Sequence, residues 1–203
     1  MTQIHQFQQK DVEMLHEETL YKGHFHLKKI TFRHKLFKGG VSDKVTRELM
    51  VKGEAAALIA YDPKLDKVVL VEQFRIGALD PNSERSPWLV ELVAGMIEEG
   101  QSAAEVAIRE AEEEAGLRVE QVTHALSVWN SPGGTSERLH IFLGLVDSAQ
   151  VGGIYGLDEE DEEMLVHVVE REQAYQWVCE GKIDNVITVI GLQWLELNRH
   201  KYQ

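Results

Sequence analysis

The segment from Arg109 to Gly116 carries three carboxylates that are spaced to hold a metal ion. Glu110, Glu113 and Glu114 stand at positions i, i+3 and i+4, and this spacing puts them on one face of a helix. Like charges on one face repel each other, whereas hard cations such as Mg²⁺ and Mn²⁺ bind several carboxylate oxygens. A glutamate-rich helix taken alone is more often a solvated acidic face, so both interpretations stand at this point.

Residues 102–115 are predicted to form the helix that carries these carboxylates. Ser102 can cap its start, with Glu105 at the capping-box position. Gly116 follows as a stop signal for the helix. The apolar run WLVELVAG, residues 88–95, predicts one strand that ends in a glycine turn shortly before the helix.

Strand patterns dominate the remainder of the chain. The basic N-terminal part predicts a small sheet of three strands, and the middle predicts apolar strands with a few helices beside them. This mixture favours an α/β sandwich over a regular alternation of strands and helices. The predicted strands are 12–21, 25–37, 44–51, 54–62, 66–75, 119–129, 139–146 and 164–169, and the two closing helices are 172–180 and 185–198.

The charge balance restricts the partners of the chain. Its 203 residues have a formal net charge of −13, divided into +4 for residues 1–53 and −17 for residues 54–203. So acidic a body does not bind nucleic acid or an anionic membrane as a broad surface. The N-terminal stretch lacks the apolar core of a signal peptide, and the longest apolar run, Ala55 to Tyr61, is too short to cross a bilayer. We therefore expect a cytoplasmic protein with no nucleic-acid or membrane partner.

Residues 95–117 resemble the Nudix box, which reads Gly, five residues, Glu, seven residues, then Arg-Glu-aliphatic-x-Glu-Glu-x-Gly-aliphatic. Every fixed position matches except Gln101, where the family has Glu. The segments ETLYKGHFHL, SPGGTSER and EQAYQWVCEGKIDN, together with Pro132 at 15 residues after Leu117, are similar to the ADP-ribose-hydrolysing bacterial subgroup of this family. The resemblance thus covers nearly the whole chain.

This resemblance implies both a fold and an activity. The fold would be a Nudix α/β/α sandwich over residues 53–203, with an N-terminal antiparallel β-sheet domain over residues 1–52 that dimerises and contacts the substrate. The activity would be metal-dependent hydrolysis of the diphosphate of ADP-ribose, a small-molecule nucleotide, to AMP and ribose 5-phosphate. Each site would bind two or three Mg²⁺ ions, or Mn²⁺ in their place. The protein would be a two-fold homodimer with composite active sites.

The resemblance also assigns roles to single residues. Glu160 would be the general base, and Arg109 would orient the metal-binding carboxylates. In the family a Glu at position 101 supports this arginine, and Gln101 of this chain can still accept a hydrogen bond from the guanidinium. The implied metal ligands are Glu110, Glu113, Glu114, Glu162 and the carbonyl of Ala94. The implied substrate-binding residues are His24 at the adenine, Arg47 at the partner's substrate, Arg75 at the diphosphate, Met96, Ser131, Gly134, and Glu137 at the nucleoside end.

Several alternatives stay open at the level of sequence. The acidic run 158–163 taken alone is more often a solvated loop, and Arg47 and Arg75 are more often ordinary surface residues. Another nucleoside diphosphate sugar, such as GDP-mannose, is the nearest alternative substrate, because His24 stands where relatives carry an aromatic residue. A catalytically silent nucleotide-sensing Nudix domain and a structural dimerisation protein are alternatives from other classes.

Overall fold

A computed structural model describes residues 4, 6–156 and 163–202 of the protein. The chain divides into two compact units. The first contains the chain up to Gly53 together with residues 129–137, and the second contains residues 54–128 and the chain from Arg138 onward. The sequence did not predict that residues 129–137 cluster with the N-terminal part.

The first unit is built on a three-stranded antiparallel sheet in the order β1-β2-β3. Its strands are β1 (Val12–Lys22), β2 (His26–His34) and β3 (Val45–Val51). Strand β2 ends three residues before its predicted end, because the chain turns where Leu36 N–H donates to the Gly40 carbonyl at 3.1 Å. Gly39 and Gly40 have φ values of 89° and 79° there, a conformation that favours glycine.

Residues 129–137 join this unit through the end of β3. The backbone N–H of Met50 donates to the Gly134 carbonyl at 2.9 Å, and Ser136 N–H donates to the Met50 carbonyl at 3.1 Å. Lys52 Nζ donates to Glu137 Oε1 at 2.5 Å. These contacts pair segments that lie about 85 positions apart in sequence, so no local pattern predicts them.

The second unit contains a mixed sheet in the order β10-β11-β5-β4-β9-β8, with β6 paired to β5 and β7 paired to β4. Strands β4 and β9 run parallel, whereas β4–β5 and β5–β11 are antiparallel pairs. Its strands are β4 (Glu54–Asp62), β5 (Lys67–Phe74), β6 (Trp88–Glu91), β7 (Val93–Met96), β8 (Val122–Trp129), β9 (Arg138–Leu145), β10 (Gly153–Tyr155) and β11 (Met164–Glu170). Its helices are α1 (Ala103–Ala115), α2 (Arg171–Cys179) and α3 (Val186–Asn198).

Helices cover both faces of this sheet. Ala56 and Leu58 of β4 pack in one core with Val106 and Ala111 of α1. The alternate residues of β4, among them Ile59, pack in a second core with residues of α2 and α3. Because successive side chains of a strand point to opposite faces, β4 is buried on both sides. The predicted α/β/α sandwich is therefore confirmed for this unit.

The run WLVELVAG forms two strands, where the sequence predicted one. Strand β6 pairs with β5 and ends at Glu91, and β7 pairs with β4 and starts at Val93. Leu92 lies between them, and its backbone N–H donates to Thr188 Oγ1 at 2.9 Å. An apolar run continues unchanged when the chain leaves one partner strand for another, so the break carries no signal in sequence. Strand β10 was also not predicted.

Arg171 ties the start of α2 to the β4–β5 hairpin and to α3. Its Nε donates to Asp66 Oδ1 at 2.8 Å and its Nη2 donates to Asp66 Oδ2 at 3.0 Å. Its Nη1 donates to Glu196 on α3. Tyr61 Oη also donates to Asp66 Oδ1, at 2.9 Å. Only 8% of the Arg171 side chain is exposed, so this network holds a nearly buried charge.

No helix within the described ranges is long and apolar enough to cross a membrane. This agrees with the short apolar runs of the sequence. The cytoplasmic location stays a prediction.

Candidate active site

Helix α1 presents the carboxylates on a well-defined frame. Ser102 Oγ accepts from the Glu105 N–H at 3.3 Å, and Glu105 Oε2 accepts from the Ser102 N–H at 2.9 Å. At the other end Gly116 has φ 61°, and its N–H donates to the Glu112 carbonyl at 3.0 Å. The predicted capping box and glycine stop are thus confirmed. They fix where the helix starts and ends, and so the direction of each carboxylate.

A cavity of about 260 Å³ lies beside α1 in the second unit. The structure brings seven of the residues singled out by sequence to its wall, together with Gly95, Glu98 and Gly156. The seven are Arg75, Ala94, Met96, Arg109, Glu110, Glu113 and Glu114. Four glutamates and two arginines in one small cavity make it strongly polar.

Gly95 allows the backbone of β7 to approach the Glu110 carboxylate. A Cβ atom at Gly95 would lie 1.8 Å from Glu110 Oε1, which is far inside van der Waals contact. Strand β7 holds this position because Gly95 pairs with Ala56 of β4. Only glycine therefore leaves space for the carboxylate against the backbone.

Glu114 is held against the same strand. Its side chain is buried, and its Oε2 accepts from the Ala94 N–H at 3.1 Å. Burying a carboxylate costs free energy unless it is hydrogen-bonded or paired. The contact fixes Glu114 beside Ala94, whose carbonyl the resemblance assigns to a metal ion.

Arg109 bridges two of the three carboxylates. It donates to Glu113 Oε2 at 2.5 Å and to Glu110 Oε1 at 2.8 Å. Partial burial acts to lower the pKa of Arg109, but the negative charges of Glu110 and Glu113 outweigh it and hold that pKa above its usual value. Arg109 therefore stays charged and orients both carboxylates.

Gln101 was expected to support Arg109, but its side-chain oxygen binds a backbone N–H instead. Its side-chain oxygen accepts from the Glu98 N–H at 3.2 Å. The Gln101 N–H also donates to the Glu98 carbonyl at 3.1 Å. Gln101 therefore closes the turn before α1, because its oxygen reaches a backbone donor three residues away.

The donor set fits a hard divalent cation. Oxygen ligands from Glu110, Glu113, Glu114 and the backbone of β7 are those that Mg²⁺ and Mn²⁺ prefer. As they stand, no three His, Cys, Asp or Glu side chains in the described part of the chain are arranged to hold a metal ion. Because Arg109 binds Glu110 and Glu113, a cation would have to share these carboxylates with the guanidinium.

Glu91 is an ion-pair partner of the cavity residue Arg75 that the sequence analysis missed. Its Oε2 accepts a hydrogen bond from Arg75 Nε at 2.8 Å and lies 2.8 Å from Arg75 Nη2 in the same ion pair. Burial raises the pKa of Glu91 above its usual value, although Arg75 and Gln73 act against this shift. The available signal was an acidic residue at the end of an apolar strand, WLVE.

The remaining predicted residues are not in this cavity. Glu137 is buried in the first unit, where it accepts from Lys52 Nζ and from Asn130 Nδ2. Arg47 is exposed on β3, and the His24 ring lies edge-on to Phe25 with centroids 4.9 Å apart. Ser131 and Gly134 belong to the segment 129–137 of the same unit. Glu160 and Glu162 lie outside the described residues.

The sandwich and its carboxylate-bearing helix define the class of protein. The chain belongs to the Nudix family, because the family model for the NUDIX domain matches residues 51–187.

The relatives place the chain more narrowly. It is 63% identical to an ADP-ribose pyrophosphatase of Haemophilus influenzae, over 100% of this chain and 94% of that protein. It is 55% identical to the ADP-ribose pyrophosphatase of Escherichia coli K12, over 95% of this chain and 91% of that protein. A GDP-mannose pyrophosphatase of Cronobacter sakazakii is 33% identical, over 92% of this chain and 96% of that protein. A crystal structure of an ADP compounds hydrolase shares the fold, with a TM-score of 0.72 at 17% identity over 94% of this chain and 96% of that one.

Gly95→Ala is expected to lower kcat/KM by on the order of 100-fold, because the new methyl group displaces the Glu110 carboxylate. Steady-state kinetics with ADP-ribose and Mg²⁺ measure this. Gly77→Ala is the matched control, since a Cβ there meets no atom within 4 Å. Equal activity of Gly95→Ala and wild type would contradict the role given to this close approach.

Proposed function

We propose that the protein hydrolyses the diphosphate bond of ADP-ribose and releases AMP and ribose 5-phosphate. The observation that carries this proposal is the row of carboxylates on α1 packed against Gly95, with Arg75 in the same cavity. The full-length similarity to ADP-ribose pyrophosphatases supports ADP-ribose as the substrate. The chain is therefore a hydrolase rather than a silent sensor or a structural dimerisation protein.

The proposed cofactor is Mg²⁺, with Mn²⁺ as the alternative, at two or three ions per site. Glu110, Glu113, Glu114 and the Ala94 carbonyl would hold these ions, and Glu162 would complete the set. Bound ions of this kind neutralise phosphate charge and lower the pKa of bound water. Arg109 keeps the Glu110 and Glu113 carboxylates oriented through its two hydrogen bonds.

Two residues of the cavity are proposed to bind the substrate directly. Arg75 would contact the diphosphate, since guanidinium groups match phosphate oxygens in geometry and charge. Met96 follows Gly95 on β7 and is 46% exposed, so its side chain is accessible to a ligand beside the carboxylates.

The remaining substrate contacts are proposed to come from the predicted N-terminal domain 1–52 and from residues 129–137, which cluster with the N-terminal part of the chain. His24 would contact the adenine, Arg47 the substrate of the partner subunit, and Ser131, Gly134 and Glu137 the nucleoside end. Such sites would be composite and would require a homodimer. All eleven residues of β1 are exposed, and five of them are large and apolar: Val12, Met14, Leu15, Leu20 and Tyr21. An apolar exposed edge strand of this length supports a partner subunit. An active monomer in sedimentation at assay concentration would contradict composite sites.

Product analysis tests the proposed substrate. We expect ADP-ribose and Mg²⁺ to give equal amounts of AMP and ribose 5-phosphate, with GDP-mannose cleaved much more slowly. The GDP-mannose pyrophosphatase relative makes GDP-mannose the necessary comparison. Brisk cleavage of GDP-mannose with none of ADP-ribose would overturn the proposal, and no cleavage of either would favour a silent domain.

Glu160→Gln is expected to lower kcat by on the order of 10³-fold, because Glu160 is proposed to take the proton from the attacking water. Binding of Mn²⁺, followed by its paramagnetic resonance signal, should change little. Glu163→Gln is the matched control from the same acidic run. Full activity of Glu160→Gln would assign the general base to another carboxylate of that run.

A further inference from the structure

We propose that Glu91 is a positioning residue that fixes the guanidinium of Arg75 for contact with the substrate diphosphate. This inference rests on the proposed function, since it concerns the same cavity. Glu91 itself is not among the residues that line the cavity. It would act through Arg75 alone.

The register of the sheet puts the two residues on the same face. Glu91 of β6 pairs with Val71 of β5, and Val71 packs in the core that contains α1. Since side chains alternate along a strand, Gln73 and then Arg75 continue the same face toward the cavity. Arg75 N–H also donates to the Pro87 carbonyl at 2.9 Å, which fixes its backbone.

The contact constrains one edge of the guanidinium and leaves the other edge available. Arg75 Nε donates to Glu91 Oε2, and Nη2 lies 2.8 Å from the same oxygen. The Glu91 side chain is 9% exposed, whereas that of Arg75 is 45% exposed. The ion pair therefore has a buried, rigid acceptor and an accessible donor. A long arginine side chain loses rotamer freedom in such a pair before any ligand binds.

The Glu91 carboxylate is itself held in place. Gln73, which is 7% exposed, hydrogen-bonds it. A buried carboxylate beside a phosphate subsite would weaken anion binding through its charge alone. The presence of Glu91 at this position is explained if the benefit of orienting Arg75 outweighs that cost.

The division of labour between the two cavity arginines supports this role. Arg109 donates to Glu110 and Glu113. Arg75 instead forms an ion pair with Glu91 on β6. Arg75 is thus the cavity cation whose pairing leaves it oriented toward an incoming anion rather than toward the metal-binding carboxylates.

A double-mutant cycle tests the proposal. We expect Arg75→Ala and Glu91→Ala each to lower kcat/KM for ADP-ribose by about 10- to 100-fold, mainly through KM. The double variant should then be no worse than Arg75→Ala alone, because Glu91 acts only through Arg75. Additive losses would overturn the proposal, since they would show that Glu91 acts independently of Arg75.

Two further variants separate positioning from folding and from charge. Glu91→Gln keeps the shape and one acceptor oxygen, so it should fold normally and recover part of the loss seen with Glu91→Ala. If Glu91 acted only by its negative charge, Glu91→Gln would instead lower KM, and that result would overturn the proposal. Glu72→Gln on the neighbouring strand, where Glu72 pairs with His167, is the control and should leave kcat/KM unchanged. Should wild type cleave only GDP-mannose, the proposed substrate fails, and the same cycle measured with GDP-mannose still decides the role of Glu91.

Discussion

Glu110→Gln is expected to lower kcat/KM for ADP-ribose by on the order of 10³-fold at saturating Mg²⁺. The amide that replaces the carboxylate has one acceptor oxygen and no charge, so it is a poor ligand for a hard cation. Glu110 also accepts from Arg109 at 2.8 Å, and the substitution weakens that charged contact. Steady-state kinetics measure the loss, and the apparent affinity for Mg²⁺ should fall in parallel.

Glu112→Gln is the matched control for this prediction. Glu112 lies on the same helix and carries the same charge, but it is exposed and does not line the cavity. We expect kcat/KM of this variant to stay within about twofold of wild type, as is usual for a surface substitution. Equal losses for Glu110→Gln and Glu112→Gln would show that general acidity of α1, and not a defined site, supports activity.

Arg171→Met is expected to lower the free energy of unfolding by about 3 kcal/mol, because it leaves Asp66 and Glu196 without their shared cation. Denaturant unfolding followed by circular dichroism measures this. Arg85→Met is the matched control, because Arg85 pairs with Asp184 at 2.6 Å but its side chain is 77% exposed. An exposed pair contributes at most about 1 kcal/mol, so a comparable loss in both variants would contradict the importance of the buried network.

The same network predicts how this difference depends on pH. The hydrogen bond from Arg171 holds the pKa of Asp66 below its usual value, against the opposing effect of burial. A carboxyl whose folded-state pKa is lowered stabilises the fold above its unfolded-state pKa, and this stabilisation is lost as pH falls through the folded-state pKa. The gap in stability between wild type and Arg171→Met should therefore narrow below about pH 4. A gap that is constant down to pH 2 would assign the effect to packing.

Local signals explain why α1 and its carboxylates could be predicted from sequence. Ser102, Glu105 and Gly116 each act within a few residues of the helix end that they define, and the i, i+3, i+4 spacing fixes which face the glutamates share. The apolar runs and the turn signals between them likewise located most strands to within a few residues. None of these predictions required knowledge of a distant contact.

Non-local pairing explains what could not be predicted. At Leu92 the chain changes its pairing partner from β5 to β4. The neighbouring strands of the sheet decide this change, and the apolar run 88–95 does not encode it. The side chain of Gln101 points to Glu98 because the backbone N–H of Glu98 lies within hydrogen-bonding distance. The partnership of Arg75 with Glu91 joins residues 16 positions apart in sequence, and only the strand register brings them together.

The break at Leu92 restricts insertions and deletions in the stretch from Trp88 to Gly95. Glu91 and Gly95 point to the α1 face of the sheet because an odd number of residues separates them and the alternation passes through Leu92 undisturbed. Inserting or deleting one residue between Trp88 and Gly95 would send one of the two to the opposite face. Glu91, which holds Arg75, and Gly95, which leaves space for the Glu110 carboxylate, therefore share a face only while the number of residues between them is unchanged. A change in the length of this stretch should cost activity even if Leu92 stays packed in its core. Residues 79–86 of the preceding loop lie outside the strands, so a change in the length of that segment leaves this alternation undisturbed.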